Sequence, residues 1–230
     1  MKYYSKLNFK PVTLAVFIII IIIVLQTTAV NAQQPIEIGI RVDPLIGWFR
    51  PNHNAITAKG SHVGFNFGLK VNKYFTDNYA FSAGLSLITA SGSLSHQDTV
   101  MLALKQPVMA LPKSKIVYNI KYLAIPIGIR LKTNEIGFIS IFTDIGFDPR
   151  FTLGGRLDIP SQHIAKEHAN NNLKKFGLGY HVIGGVEYSL GGSTAVVLGL
   201  NFDNSFTNII KHSPAKISHK MFGIHLGLNF

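Results

Sequence analysis

Ser95, His96 and Asp98 fall within four positions of one another and are the residue types that make a nucleophile, a base and an orienting acid. Brought together, they could hydrolyse a lipid ester. Proximity in sequence does not bring them together, because a triad is a matter of geometry and role. Ser, His and Asp are also ordinary residues of turns and loop surfaces. His163 and His168 stand five apart with no third ligand beside them, which suits solvated loop residues better than a tetrahedral metal site. Cysteine is absent, so disulfides, thiolate-bound metals and an N-terminal lipid anchor on Cys are excluded. No catalytic, cofactor-binding or metal-ligating residue is assigned, and the chain is not read as an enzyme.

A second group has a pattern behind it. Glu37, Arg41, Asp43, Lys70, Arg130, Asp144, Asp148, His181, Glu187 and Asp203 all fall on the small or polar side of segments that alternate with period two. If that side lines a lumen, the group is either a proton or ion path or a plug of paired charges. An eight-stranded barrel has room inside for little more than side chains, and buried charges need partners to offset their desolvation. The plug is the expectation.

The segments that position these residues are strands. Ile217 to Phe230 sets Phe222, Ile224, Leu226, Leu228 and Phe230 against Met221, Gly223, His225, Gly227 and Asn229. One face is continuously apolar and the other small or polar, the pattern of a strand with lipid outside and a narrow polar lumen inside. Similar alternation predicts strands over about 36–49, 62–72, 79–89, 117–132, 136–148, 175–189 and 194–203, giving eight in all. Val63 to Val71 is the clearest, and Pro126 is the local exception, since proline cannot donate to a ladder and suggests a bulge. The connections between the strands run long, short, long, short, long, short, long. Outer-membrane barrels have that arrangement, with short periplasmic turns and long exterior loops. The expected fold class is therefore all-β: an eight-stranded antiparallel up-and-down transmembrane β-barrel. A soluble lipocalin-like carrier is the alternative, but it would turn its apolar face inward around a ligand.

Composition agrees. Hydrophobic residues make up 47% and charged residues 14%, where about a quarter charged is usual for a soluble domain. The one long apolar run is Val12 to Leu25. It follows Lys2, Lys6 and Lys10 and precedes Val30-Asn31-Ala32, as in a cleaved signal peptide over 1–32 with Gln33 as the mature start. The barrel domain is then 33–230. Taking the three leader lysines from 22 Lys+Arg leaves 19 against 11 Asp+Glu, a charge of +8. No basic helix or aromatic nucleic-acid motif accompanies this charge. It gathers instead in the expected outer loops and their edges. There Arg50, Lys59, Lys105, Lys113, Lys115, Arg150, Arg156, Lys166, Lys174, Lys175, Lys211 and Lys216 face Asp98, Asp158 and Glu167. Such a field would meet lipopolysaccharide phosphates or steer an acidic partner.

Tyr122-Leu123-Ala124-Ile125-Pro126 resembles the Tyr-Leu-Glu-Ile-Pro strand of the PorT-like outer-membrane β-barrel proteins, with Ala124 where an acidic residue is common. Phe81 to Leu87, Gly184-Gly185-Val186-Glu187-Tyr188 and Phe206-Thr207-Asn208-Ile209 are similar to further segments of that family. The resemblance implies a Gram-negative outer-membrane protein, and its named member serves protein secretion. The expected role is structural or interactive, with outer-membrane lipid, lipopolysaccharide and an envelope or secretion-system protein as the candidate partners. A lipid-modifying enzyme built on Ser95, His96 and Asp98 is the second alternative. No cofactor is expected.

Overall fold

The computed structural model describes residues 36–102, 104, 107–211 and 215–230. The expected leader, its cleavage site and Lys105 lie outside the described residues.

The alternating segments are strands, in chain order β1 (Ile36–Pro51), β2 (Ile56–Thr76), β3 (Tyr79–His96), β4 (Val100–Leu102), β5 (Val108–Ala110), β6 (Lys115–Ala124), β7 (Ile127–Lys132), β8 (Ile139–Ile159), β9 (Ile164–His168), β10 (Phe176–Gly191), β11 (Thr194–Ser205) and β12 (Ile217–Asn229). Each long strand pairs antiparallel with its chain neighbour. β12 pairs with β1 from Gly39↔Asn229 to Pro51↔Ile217, which closes the ring. The wall has eight staves, since β6 and β7 together form one stave between β3 and β8. Short turns lie at one end of the ring, and the longer connections lie at the other. Gly191 and Gly192 take positive φ (100° and 64°) in the β10–β11 hairpin, as a tight turn there requires.

Pro126 does not create the expected bulge. Ser86↔Ala124 and Ala83↔Ile127 stay in phase on one side, as do Ala124↔Arg150 and Ile127↔Phe147 on the other. The Gly84 amide donates to the Pro126 carbonyl at 3.0 Å, and the Ile125 amide to the Pro149 carbonyl at 2.9 Å. The ladder loses only the donors that proline lacks.

The largest departure from the sequence reading is at the outer end. Most of the supposed loops are strand: β2 and β8 each run 21 residues, about twice what a membrane crossing needs. Near the short-turn end, Phe67, Leu85, Ile145 and Leu200 point outward and are about half exposed. Further out the pattern exchanges faces. In β6, Lys115, Asn119 and Lys121 are outward and exposed, while Ile116, Tyr118, Ile120 and Tyr122 are buried inside. They join Phe49, Leu94, Leu157, Ile159, Leu173 and Ile217 in an apolar core that fills the outer half of the barrel. Where lipid ends and water begins, the outward face must become polar, and the inward face can then be apolar like that of any soluble barrel. β8 joins the two regimes through a register shift against β6 at Lys121/Tyr122. Residues 142, 144, 146, 148 and 150 point in below it, and 155, 157 and 159 point in above it.

Candidate functional site

The inner half of the barrel is a closed electrostatic network. Every ionisable residue that the alternation assigned to the lumen is buried there, except Glu37, which is half-buried at the rim. Arg130, 1% exposed, occupies the centre and donates to Asp144 at 3.0 Å and to Glu187. Its guanidinium also lies 4.1 Å from the centre of the Phe142 ring. Lys70 pairs with Asp144 from the β2 side, and Lys132 reaches Glu187 at 2.6 Å. These residues come from β2, β7, β8 and β10, so the network ties opposite walls together.

Two further clusters flank this centre. Asp43 accepts from Asn66 at 2.8 Å and Asn201 at 3.3 Å, and it lies 2.7 Å from His225 Nδ1. Nearer the apolar core, Arg150 bridges Asp148 at 3.0 Å and Asp203, and His181 Nδ1 is 2.8 Å from the other Asp148 oxygen. Arg41 donates to Ser86 at 2.7 Å. The free space beside Arg41, Lys70, Ser82 and His181 is about 10 Å³, room for about one water. Charges held this way lock the walls and fill the lumen, as the plug reading expects.

Arg150 corrects the sequence reading. The expected strand ends at Asp148, which leaves Arg150 among the exterior bases. It is instead 3% exposed inside the barrel. It shares the even-numbered face of Asp144 and Asp148, and that parity was the available signal. Asn66, Asn72, Asn201 and Asn229 belong to the network too, although a search for ionisable groups passes over them.

Ser95, His96 and Asp98 do not converge. Ser95 is buried in β3, His96 is half-buried at its outer end, and Asp98 is exposed in the turn that follows. Burial lowers the His96 pKa. His163, in the left-handed conformation (φ 55°), and His168 are exposed. Among the described residues no cluster of three His, Asp or Glu side chains could hold a metal ion.

The outer rim carries the excess charge. Arg50, Lys59, Lys113, Lys115, Arg156, Lys166, Lys174, Lys175 and Lys216 are exposed, and Lys211 is partly so. Lys121 and Lys220 add to them at the edge of the apolar band. Asp98, Asp158 and Glu167 are the acids on that side.

A ring of eight antiparallel staves, lipid-facing outside and charge-paired inside, is the architecture of an outer-membrane barrel. The family model for the outer membrane protein beta-barrel domain matches residues 31–211. The chain belongs to this family. It is therefore a protein of the bacterial outer membrane. Among solved structures, the barrel is similar to Neisserial surface protein A at a TM-score of 0.50 and 9% identity, over 84% of this chain and 95% of that one. Ail, the attachment invasion locus protein of Yersinia pestis, gives 0.42 and 14%, over 84% and 98%. The outer membrane protease OmpT of Escherichia coli gives 0.45 and 9%, over 89% and 99%. At these identities the likeness to the Neisserial protein is one of fold alone. A comparison with curated proteins gives no match.

Proposed function

We propose that this barrel is a structural and interaction protein of the outer membrane, a subunit of a secretion or envelope assembly of the PorT-like kind. The observation that carries the reading is the division of charge. The lumen is filled by paired groups, while the exterior rim sets many lysines and arginines against three acids. A filled lumen favours a role at the surface over conduction. A basic rim would engage the phosphates of lipopolysaccharide and steer an acidic envelope partner to the second and third outer connections. The Tyr122-to-Pro126 segment supports the narrower PorT-like assignment. The mature chain would start at Gln33 after removal of 1–32.

Affinity capture of the chromosomally tagged protein from detergent-solubilised envelopes tests the proposal. A stoichiometric envelope protein, lost on charge reversal of Arg156, Lys166 and Lys174, is the expected result. Recovery of the barrel alone under mild detergent would reject the subunit role.

A further inference from the structure

The β1–β2 ladder stops well short of the outer ends of its two strands. β1 and β2 pair from Ile36↔Lys73 up to Gly47↔His62 and no further. Above that point Trp48 to Pro51 pair only with β12, from Trp48↔Lys220 to Pro51↔Ile217. Ile56, Thr57, Ala58 and Ser61 pair only with β3, through two register shifts. The turn that joins the strands is tied to both sides: the Asn52 amide donates to Lys216 O at 3.0 Å and the Gln97 amide to Ala55 O at 2.9 Å. β2 thus flares away from β1 and leaves a window in the wall, bounded below by the ladder and above by the turn.

The window does not open into the lumen. Behind it β1 and β3 approach closely at glycines. A Cβ on Gly47 would lie 2.8 Å from Ser91 O, and one on Gly92 would lie 2.6 Å from the Phe49 ring. Phe49 is 1% exposed and seals the back. What remains is an exterior groove of about 450 Å³ lined by Ile46, Trp48, Ala58, Gly60, Ser61 and Phe222. That volume is within the range of ligand sites.

The groove has an orientation. Along the outward face of β1 and β12, the cross-strand pairs run Ile46↔Phe222, Trp48↔Lys220 and Arg50↔Ser218. Apolar residues therefore give way to cations toward the exterior, and Lys59 stands exposed on the flared strand. None of the acids of the exterior rim lies on β1, β2 or β12. Unpaired strand edges are tolerated at a membrane only where protein, water or polar groups reach them. A second hollow on the lipid-facing wall, lined by Phe81, Ile127, Ile129, Ile145, Phe147 and Phe206, has no cation in its lining to meet a phosphate.

From this geometry we infer that the β1–β2 window is a specific site for a phosphorylated, acylated glycolipid of the outer leaflet. One acyl chain lies against Trp48 and Phe222, and a phosphate meets Arg50, Lys59 and Lys220. The inference rests on the lipopolysaccharide contact of the proposed function and gives it a location.

Trp48 is the only tryptophan in the chain, so the site carries its own reporter. The purified detergent-solubilised barrel is titrated with bisphosphorylated lipid A and with a phosphate-free glycolipid of the same acyl content, and followed by Trp48 emission and native mass spectrometry. The expected result is a saturable one-to-one adduct with a blue shift of Trp48, and tighter binding of the phosphorylated lipid. Arg50→Gln/Lys220→Gln should weaken the phosphorylated lipid about tenfold or more and leave the phosphate-free lipid unchanged. Ala58→Phe or Ser61→Phe, each filling the groove, should remove the adduct while the unboiled protein keeps its fast gel mobility. Equal binding of both lipids, or wild-type binding in a groove-filled variant, would overturn the site. Partner capture is a separate readout, so the failure of either idea is recognisable by itself.

Discussion

Arg130→Met removes the cation that joins Asp144 and Glu187 at the centre of the barrel. Taking away one partner of a buried ion pair costs about 3–5 kcal/mol, because the other charge is left uncompensated. Here Asp144 keeps Lys70, and Glu187 keeps Lys132 and the Asn229 amide at 2.6 Å. The lower end, about 3 kcal/mol, is therefore expected, or roughly a hundredfold in the folding equilibrium. The assay is reversible urea unfolding of the barrel in lipid vesicles, followed by Trp48 emission. Arg156→Gln, at an exposed position, is the reference and should stay within about 0.5 kcal/mol of wild type. Arg130→Met/Glu187→Gln should cost less than the two single changes together, by about 0.5–3 kcal/mol, because they share one contact. An Arg130→Met variant as stable as Arg156→Gln, or strict additivity in the cycle, would refute the luminal network as a source of stability.

The other expectations concern the wall and the lumen. Phe67→Arg places a charge in the lipid-facing band and should cost about 2–4 kcal/mol, whereas Thr57→Arg, beyond the band, should cost almost nothing; equal costs would misplace the membrane. Gly64→Val should destabilise by about 1–3 kcal/mol, since a Cβ there would sit 2.4 Å from the Thr89 carbonyl oxygen and 2.7 Å from Leu45 Cδ1. Unchanged unfolding would show that β2 can yield. In planar bilayers the purified barrel should give no regular conductance steps, and uniform steps would contradict a filled lumen.

The inner half of the fold was legible because lipid imposes one rule on it. Val63, Phe65, Phe67, Leu69 and Val71 must face out, so Asn66 and Lys70 must face in. The same alternation continues through Ile116, Tyr118, Ile120 and Tyr122, but period two does not say which face is inside. Above the bilayer the rule reverses, and those residues form a core beside the start of the expected fourth strand. Arg150 departs from the expectation because the expected strand ends at Asp148, whereas β8 runs on to Ile159. The window between β1 and β2 had no signature in the sequence. It is a loss of pairing between two segments that each keep another partner, and only the register reveals it. The partners of Arg130 could not be chosen in advance either, because several inward carboxylates were equally available to it.

The central claim is a closed, charge-locked barrel in the outer membrane, and its most direct test is the gel mobility of the native protein from fractionated envelopes, unheated and boiled. A closed barrel resists the detergent until heated. The account predicts recovery in the outer-membrane fraction and a compact, fast-migrating band that shifts to its full apparent mass on boiling. Recovery in the soluble periplasm, with one mobility before and after heating, would contradict it.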